Sequence, residues 1–146
     1  MRFHYSFQKV VDLKTNEKKL AESGLSQAFG ALTAMERELA ELTGLKESVQ
    51  QQLVLDTSES VPIADVLAKQ QYVNHLEDAI RAAVRKIRDA EFAVEAQRQQ
   101  LKEKSIDEKI WISARGKAEM RHLTMMAKLE QSELDEIATI RSRKAR

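Results

Sequence analysis

From Pro62 to about Ile140 the chain has no further proline, one glycine at Gly116, and apolar side chains recurring every three or four positions. That spacing predicts a single, very long helix. At about 1.5 Å of rise per residue it would extend roughly 115 Å, several times the width of a compact domain of this mass, so its own chain cannot wrap most of it. The expected molecule is a rod that works by contacting other proteins. With 5% aromatic and 32% charged residues, the composition is that of long helices and coiled coils, in which burial is confined to a seam.

A first helix is expected over about residues 4–55. Its best seam is Leu25, Ala28, Leu32, Met35, Leu39, Leu42, Lys46, Val49 and Leu53, in strict three-four alternation broken in character only by Lys46. Upstream, Val10, Leu13 and Leu20 fall on another register, with Lys14, Asn16, Glu17 and Lys18 between them, which predicts a phase shift near Gly24. The polar stretch 56–62 ends in the only proline, which suits the first turn of a helix because its missing amide hydrogen has no partner to lose. A turn of this length predicts an antiparallel hairpin.

The second helix, expected over about 62–140, carries Val73, Ile80, Ile87, Val94 and Leu101, with Leu76, Ala83, Ala90 and Gln97 as alternates. Residues 102–109 nearly lose the seam. Beyond them Trp111, Ala118, Met125 and Leu129 form one stripe, and Leu123, Met126, Leu134, Ile137 and Ile140 a neighbouring one. The fold class expected is all-α: one long two-helix antiparallel coiled-coil hairpin, 1–146, the second helix longer than the first, ending in a basic tail at 141–146. The extra length of the second helix predicts a surface its partner helix does not cover.

Such a hairpin offers no cleft in which catalytic groups could converge, so no enzymatic activity, cofactor or metal is expected. His4, His75 and His122 lie far apart, without a His-Glu-x-x-His spacing, and the isolated glycines form no phosphate-binding loop. Carboxylate neighbours such as Glu77 and Asp78 point to different sides of a helix. Arg81, Arg85, Lys86 and Arg88 are interleaved with Asp78, Asp89 and Glu91, a mixed field that does not predict nucleic-acid binding. Without cysteine there is neither disulfide nor thiolate chemistry, as expected of a reducing compartment, with the cytosol as default. The first residues do not resemble a secretion signal, and no membrane span is expected.

Net charge is +1 but uneven: residues 1–19 carry five basic and two acidic side chains (+3), 141–146 carry four basic ones (+4), leaving −6 for 20–140. A hairpin brings both basic termini to one end, where an acidic partner or anionic lipid could meet them.

The stretch Gln70-Gln71-Tyr72-Val73-Asn74-His75-Leu76-Glu77-Asp78-Ala79-Ile80 widens the apolar stripe beside the seam. It resembles the Gln-Gln-aromatic-aliphatic-x-x-Leu-Glu-x-Ala-Ile signature of the flagellar export protein FliJ family. Phe7-Gln8-Lys9-Val10-Val11-Asp12-Leu13-Lys14, and Glu130 to Ala138, are similar to that family's terminal patterns. The resemblance implies a non-enzymatic coupling stalk of the flagellar type III export apparatus, at the inner face of the cell membrane. It implies insertion into a hexameric ring of the export ATPase FliI through the terminal end (Phe7, Lys9, Leu134, Ile137, Arg141). It also implies docking on the export gate FlhA through Tyr72, Leu76 and Ala79, and contact with export chaperones. Two alternatives share the hairpin: the stalk of a virulence-type secretion system, and a self-associating scaffold that uses the Leu123 to Ile140 stripe as a dimer seam.

Overall fold

The structure, a computed structural model, describes residues 2–145. It consists of two helices, α1 (Gln8–Ser58, 51 residues) and α2 (Ile63–Lys144, 82 residues), packed antiparallel. Residues 59–62 join them. Pro62 opens α2 by offering its carbonyl to the amides of Asp65 (3.1 Å) and Val66 (3.4 Å), and Asp65 places a negative charge in the first turn, where the helix dipole favours it. In the last turn of α1 the Thr57 and Ser58 hydroxyls donate to the carbonyls of Val54 (2.6 Å) and Leu55 (2.8 Å), three residues back along the helix. Phe7 starts α1 in the same way, its carbonyl accepting from Val10 and Val11.

Two compact units divide the chain: residues 21–101, and residues up to Leu20 together with those from Lys102 on. In the first, all the seam residues expected on α1 from Leu25 to Leu53 are half-buried, Lys46 included, and face a seam on α2 in which Val73, Leu76, Ala83, Ala90 and Val94 are buried. Ile80 and Ile87 alternate with those alanines, whose small side chains let the helices approach closely. Each large side chain buried there contributes roughly 1.5–3 kcal/mol before entropy is subtracted. Two ion pairs fix which residues face each other: Lys46 with Glu77 (3.4 Å) and Asp56 with Lys69 (2.6 Å). Arg98 lies over the ring of Phe29, 5.3 Å from its centroid, covering a side chain that stands outside the seam.

In the second unit two expectations are corrected. No phase shift occurs near Gly24: Val11 is buried and Lys14 and Lys18 are half-buried, and together with the buried Ala21 at the start of the other unit they continue the spacing of Leu25 and Ala28 back along α1. Leu13 and Leu20, which suggested another register, are 54% and 73% exposed. Nor is the α2 seam lost over 102–109, because Lys104 and Glu108 occupy it. The seam simply changes from apolar to ionic. Lys14 pairs with Asp107 (2.8 Å), Lys18 with Glu108 (3.4 Å), and Glu17 Oε2 lies between Lys14 (3.5 Å) and Lys104 (3.6 Å) without a hydrogen bond. A buried charge is tolerated only when paired, and here each has an opposite across the helix pair.

The Asp107 carboxylate holds the Lys14 ammonium above the ordinary lysine value, and Glu17 acts in the same direction. A raised lysine stabilises the fold fully below its unfolded value of about 10.5, and that contribution fades only as the pH rises past it. Lys14→Arg, charged to higher pH, should therefore lose less melting temperature than the native chain as the pH rises past about 10.5. Circular dichroism melts of the two proteins check this.

Nothing stands within 4 Å of a Cβ added at Gly30, Gly44 or Gly116, whereas at Gly24 it would meet the end of the Gln97 side chain at 2.6 Å. Alanine at each of the first three should stabilise by about 0.5–1 kcal/mol through helix propensity. At Gly24 the displaced glutamine should offset most of that gain. Urea unfolding of the four variants tests the ranking.

Candidate docking surfaces

The described residues contain no cluster of histidine and carboxylate side chains suited to a metal, and no helix among them is long and apolar enough to cross a membrane. His4 and His75 are exposed; His122 is half-buried with Phe3 5.4 Å away, ring to ring. The surfaces that stand out on the chain are uncovered apolar ones.

Near the turn, Tyr72 is 44% exposed and Ala79, seven residues later and so on the same flank of α2, is half-buried. Leu76 lies between them in sequence, one turn from Tyr72 and rotated toward α1, and its side chain is in the seam with 3% of its surface exposed. Of the three residues assigned to gate docking, Tyr72 and Ala79 form a surface and Leu76 is its foundation. Tyr72 thus presents an amphipathic ring beside the seam, able to give a partner both apolar area and a hydroxyl.

The residues assigned to the ATPase ring fall into two groups. Phe7 is half exposed, with its ring 6.0 Å from Trp111 and 5.8 Å from Tyr5, while Lys9 points to solvent. Leu134, Ile137 and Arg141 are exposed, as is every described residue of α2 after Met126. They start twelve residues beyond His122, roughly 18 Å along the helix, so the structure does not bring them together with Phe7 and Lys9. Leu123, Leu134, Ile137 and Ile140, 46% to 61% exposed, form an uncovered stripe along one side of α2. Exposed apolar stripes of this kind mark candidate interaction surfaces.

Sequence reasoning missed the aromatic start of the chain as a packed element. Residues 2–5 are not helical, and there Phe3 and Tyr5 are half-buried while Arg2 and His4 are exposed. The alternation Phe3, Tyr5, Phe7 was the available signal.

The sequence profile of the flagellar FliJ protein matches residues 3–146. The chain belongs to the FliJ family. Membership makes it one of the proteins of flagellar type III export. No curated protein matches it. Among solved structures it is similar to CT670 of Chlamydia trachomatis, described as a YscO homologue, with a TM-score of 0.54, 16% identity, and coverage of 95% of this chain and 94% of that one. At that identity the likeness is one of fold, and it extends the FliJ family's long hairpin to a second protein of the same architecture.

Proposed function

We propose that this FliJ-family chain is a non-enzymatic coupling stalk of the flagellar type III export apparatus. In this reading it links the hexameric ATPase FliI to the export gate FlhA, assists chaperone-bound substrates, and works at the inner face of the cell membrane. The observation that carries the reading is the end of α2: an uncovered apolar stripe on a helix that runs on after its partner has ended. A stalk needs such an end to enter a ring, and it needs no catalytic group of its own. The exposed Tyr72 beside Ala79 supplies the second contact, to the gate, while Leu76 holds that part of α2 on α1. Continuous helices make the stalk stiff enough to pass position or rotation between the two partners.

The gate contact is tested by pull-down with the cytoplasmic part of FlhA. Tyr72→Ala should weaken capture by about tenfold, the usual scale for removing a central aromatic anchor. Unchanged capture and unchanged motility would remove Tyr72 from the gate surface. The family match favours the flagellar over the virulence-type system. The scaffold alternative uses the same stripe as a dimer seam, and solution mass separates the two: a monomer at micromolar concentration leaves the stripe free for a partner, whereas a stable dimer would favour the scaffold.

A further inference from the structure

A separate stripe runs along the outer face of α2, away from α1. Ile106, Ile110 and Met120 stand 49%, 60% and 64% exposed on it. Lys117, Arg121 and Lys128 fall on the same face at helical spacing, also exposed. None of these three cations makes an ion pair with a described residue, although elsewhere in this unit charges pair across the helices. The acidic residues that flank this face are Glu103 and Asp107 at its start and Asp135 two turns beyond Lys128; Asp107 is already engaged by Lys14 at 2.8 Å, and Asp135 accepts from the Gln131 amide at 3.0 Å. Like charges one turn apart repel, so the face is left with unneutralised positive charge set among apolar side chains.

We infer that this outer face, from Ile106 to Lys128, docks an acidic amphipathic helix of a partner protein. Its length, roughly 33 Å, accommodates about six turns of a helix lying alongside. The apolar side chains receive leucine-type residues and the three cations receive glutamates or aspartates flanking them, which sets specificity and speeds encounter. A lipid surface fits worse. Helices that lie on membranes keep their cations at the borders of the apolar sector, whereas Lys117 falls between Ile106 and Ile110 around the helix and Lys128 stands in line with Ile110, five turns on. Nucleic acid fits worse again, because no aromatic side chain accompanies the cations on this face. The surface is independent of the ring and gate contacts, so the proposal stands or falls separately from them.

The test uses the full chain and a fluorescein-labelled synthetic helix of about 22 residues with two leucines per heptad flanked by glutamates, followed by anisotropy. A second peptide carries lysine in place of glutamate. Saturable binding of the glutamate peptide is expected, weakened at least about tenfold by Ile110→Asp and by Lys117→Glu with Arg121→Glu, and weakened by salt. The lysine peptide should ignore the native chain and bind the charge-reversed variant. All these side chains are exposed, so helicity should be unchanged; Lys117→Gln with Arg121→Gln is the milder substitute if it is not. No binding of the glutamate peptide, equal binding of both peptides, or native-strength binding by both variants overturns the inference. So does a preference of this face for phosphatidylglycerol vesicles or a DNA duplex over the peptide.

Discussion

Leu76→Ala lowers the stability of the chain by about 2–4 kcal/mol, while Tyr72→Ala, one helical turn earlier, changes it by less than about 1 kcal/mol. The difference follows from burial: Leu76 is 3% exposed and Tyr72 44%. Truncating Leu76 removes its transfer free energy and leaves a cavity in a seam only one layer deep, where few neighbours can close in. Truncating Tyr72 trims a side chain that already stands half in water. Urea unfolding followed by circular dichroism measures both. The pair also separates packing from recognition: Tyr72→Ala should lose the gate with the fold intact, and Leu76→Ala should lose it by loosening the helix beneath. A Leu76→Ala chain of native stability would mean that the seam does not hold the hairpin near its turn.

The ionic layer gives the second large effect, with an asymmetry that identifies it. Lys18→Ala leaves Glu108, whose side chain is 11% exposed, without its cross-helix cation, and should cost about 1–3 kcal/mol. The lower half of that range is favoured because Lys18 is itself 32% exposed and partly screened. Replacing both, Lys18→Leu with Glu108→Leu, should recover native stability or exceed it, since an apolar pair fills a seam position without desolvating charge. The layer therefore contributes little net stability. What it adds is register: sliding α2 by one heptad would set Glu17 against Gln97 or Trp111 and Lys18 against Leu101 or Arg115. A single variant as stable as the native chain, or a double leucine variant less stable than the single one, would contradict this account.

The hairpin was legible because its two signals are local and strong. Proline at position 62 marks the turn, and the apolar series from Leu25 to Leu53 and from Val73 to Leu101 keeps an unbroken period. The terminal unit was misread because hydrophobic character was taken as the mark of the seam. There Lys14, Lys18, Lys104 and Glu108 hold the seam positions while Leu13 and Leu20 face solvent. Spacing carried the correct answer, since those charged residues are in phase with Leu25 and Leu101, but side-chain chemistry pointed elsewhere. Charges can occupy a seam only with partners, and the partners lie some ninety residues away, beyond the reach of a local pattern. For the candidate site, Tyr72 was read correctly as flanking the seam. Leu76 was placed both in the seam and on the docking surface, and its burial gives it to the seam.

Hydrolysis of ATP by the export ATPase, titrated with this chain while ring assembly is followed by size-exclusion chromatography, tests the stalk account most directly. The account predicts stimulation and co-elution with the native chain, both lost with Leu134→Asp plus Ile137→Asp, which make the uncovered stripe polar without touching the seam. Hydrolysis and assembly indifferent to the native chain, or equally stimulated by the double aspartate variant, would contradict it.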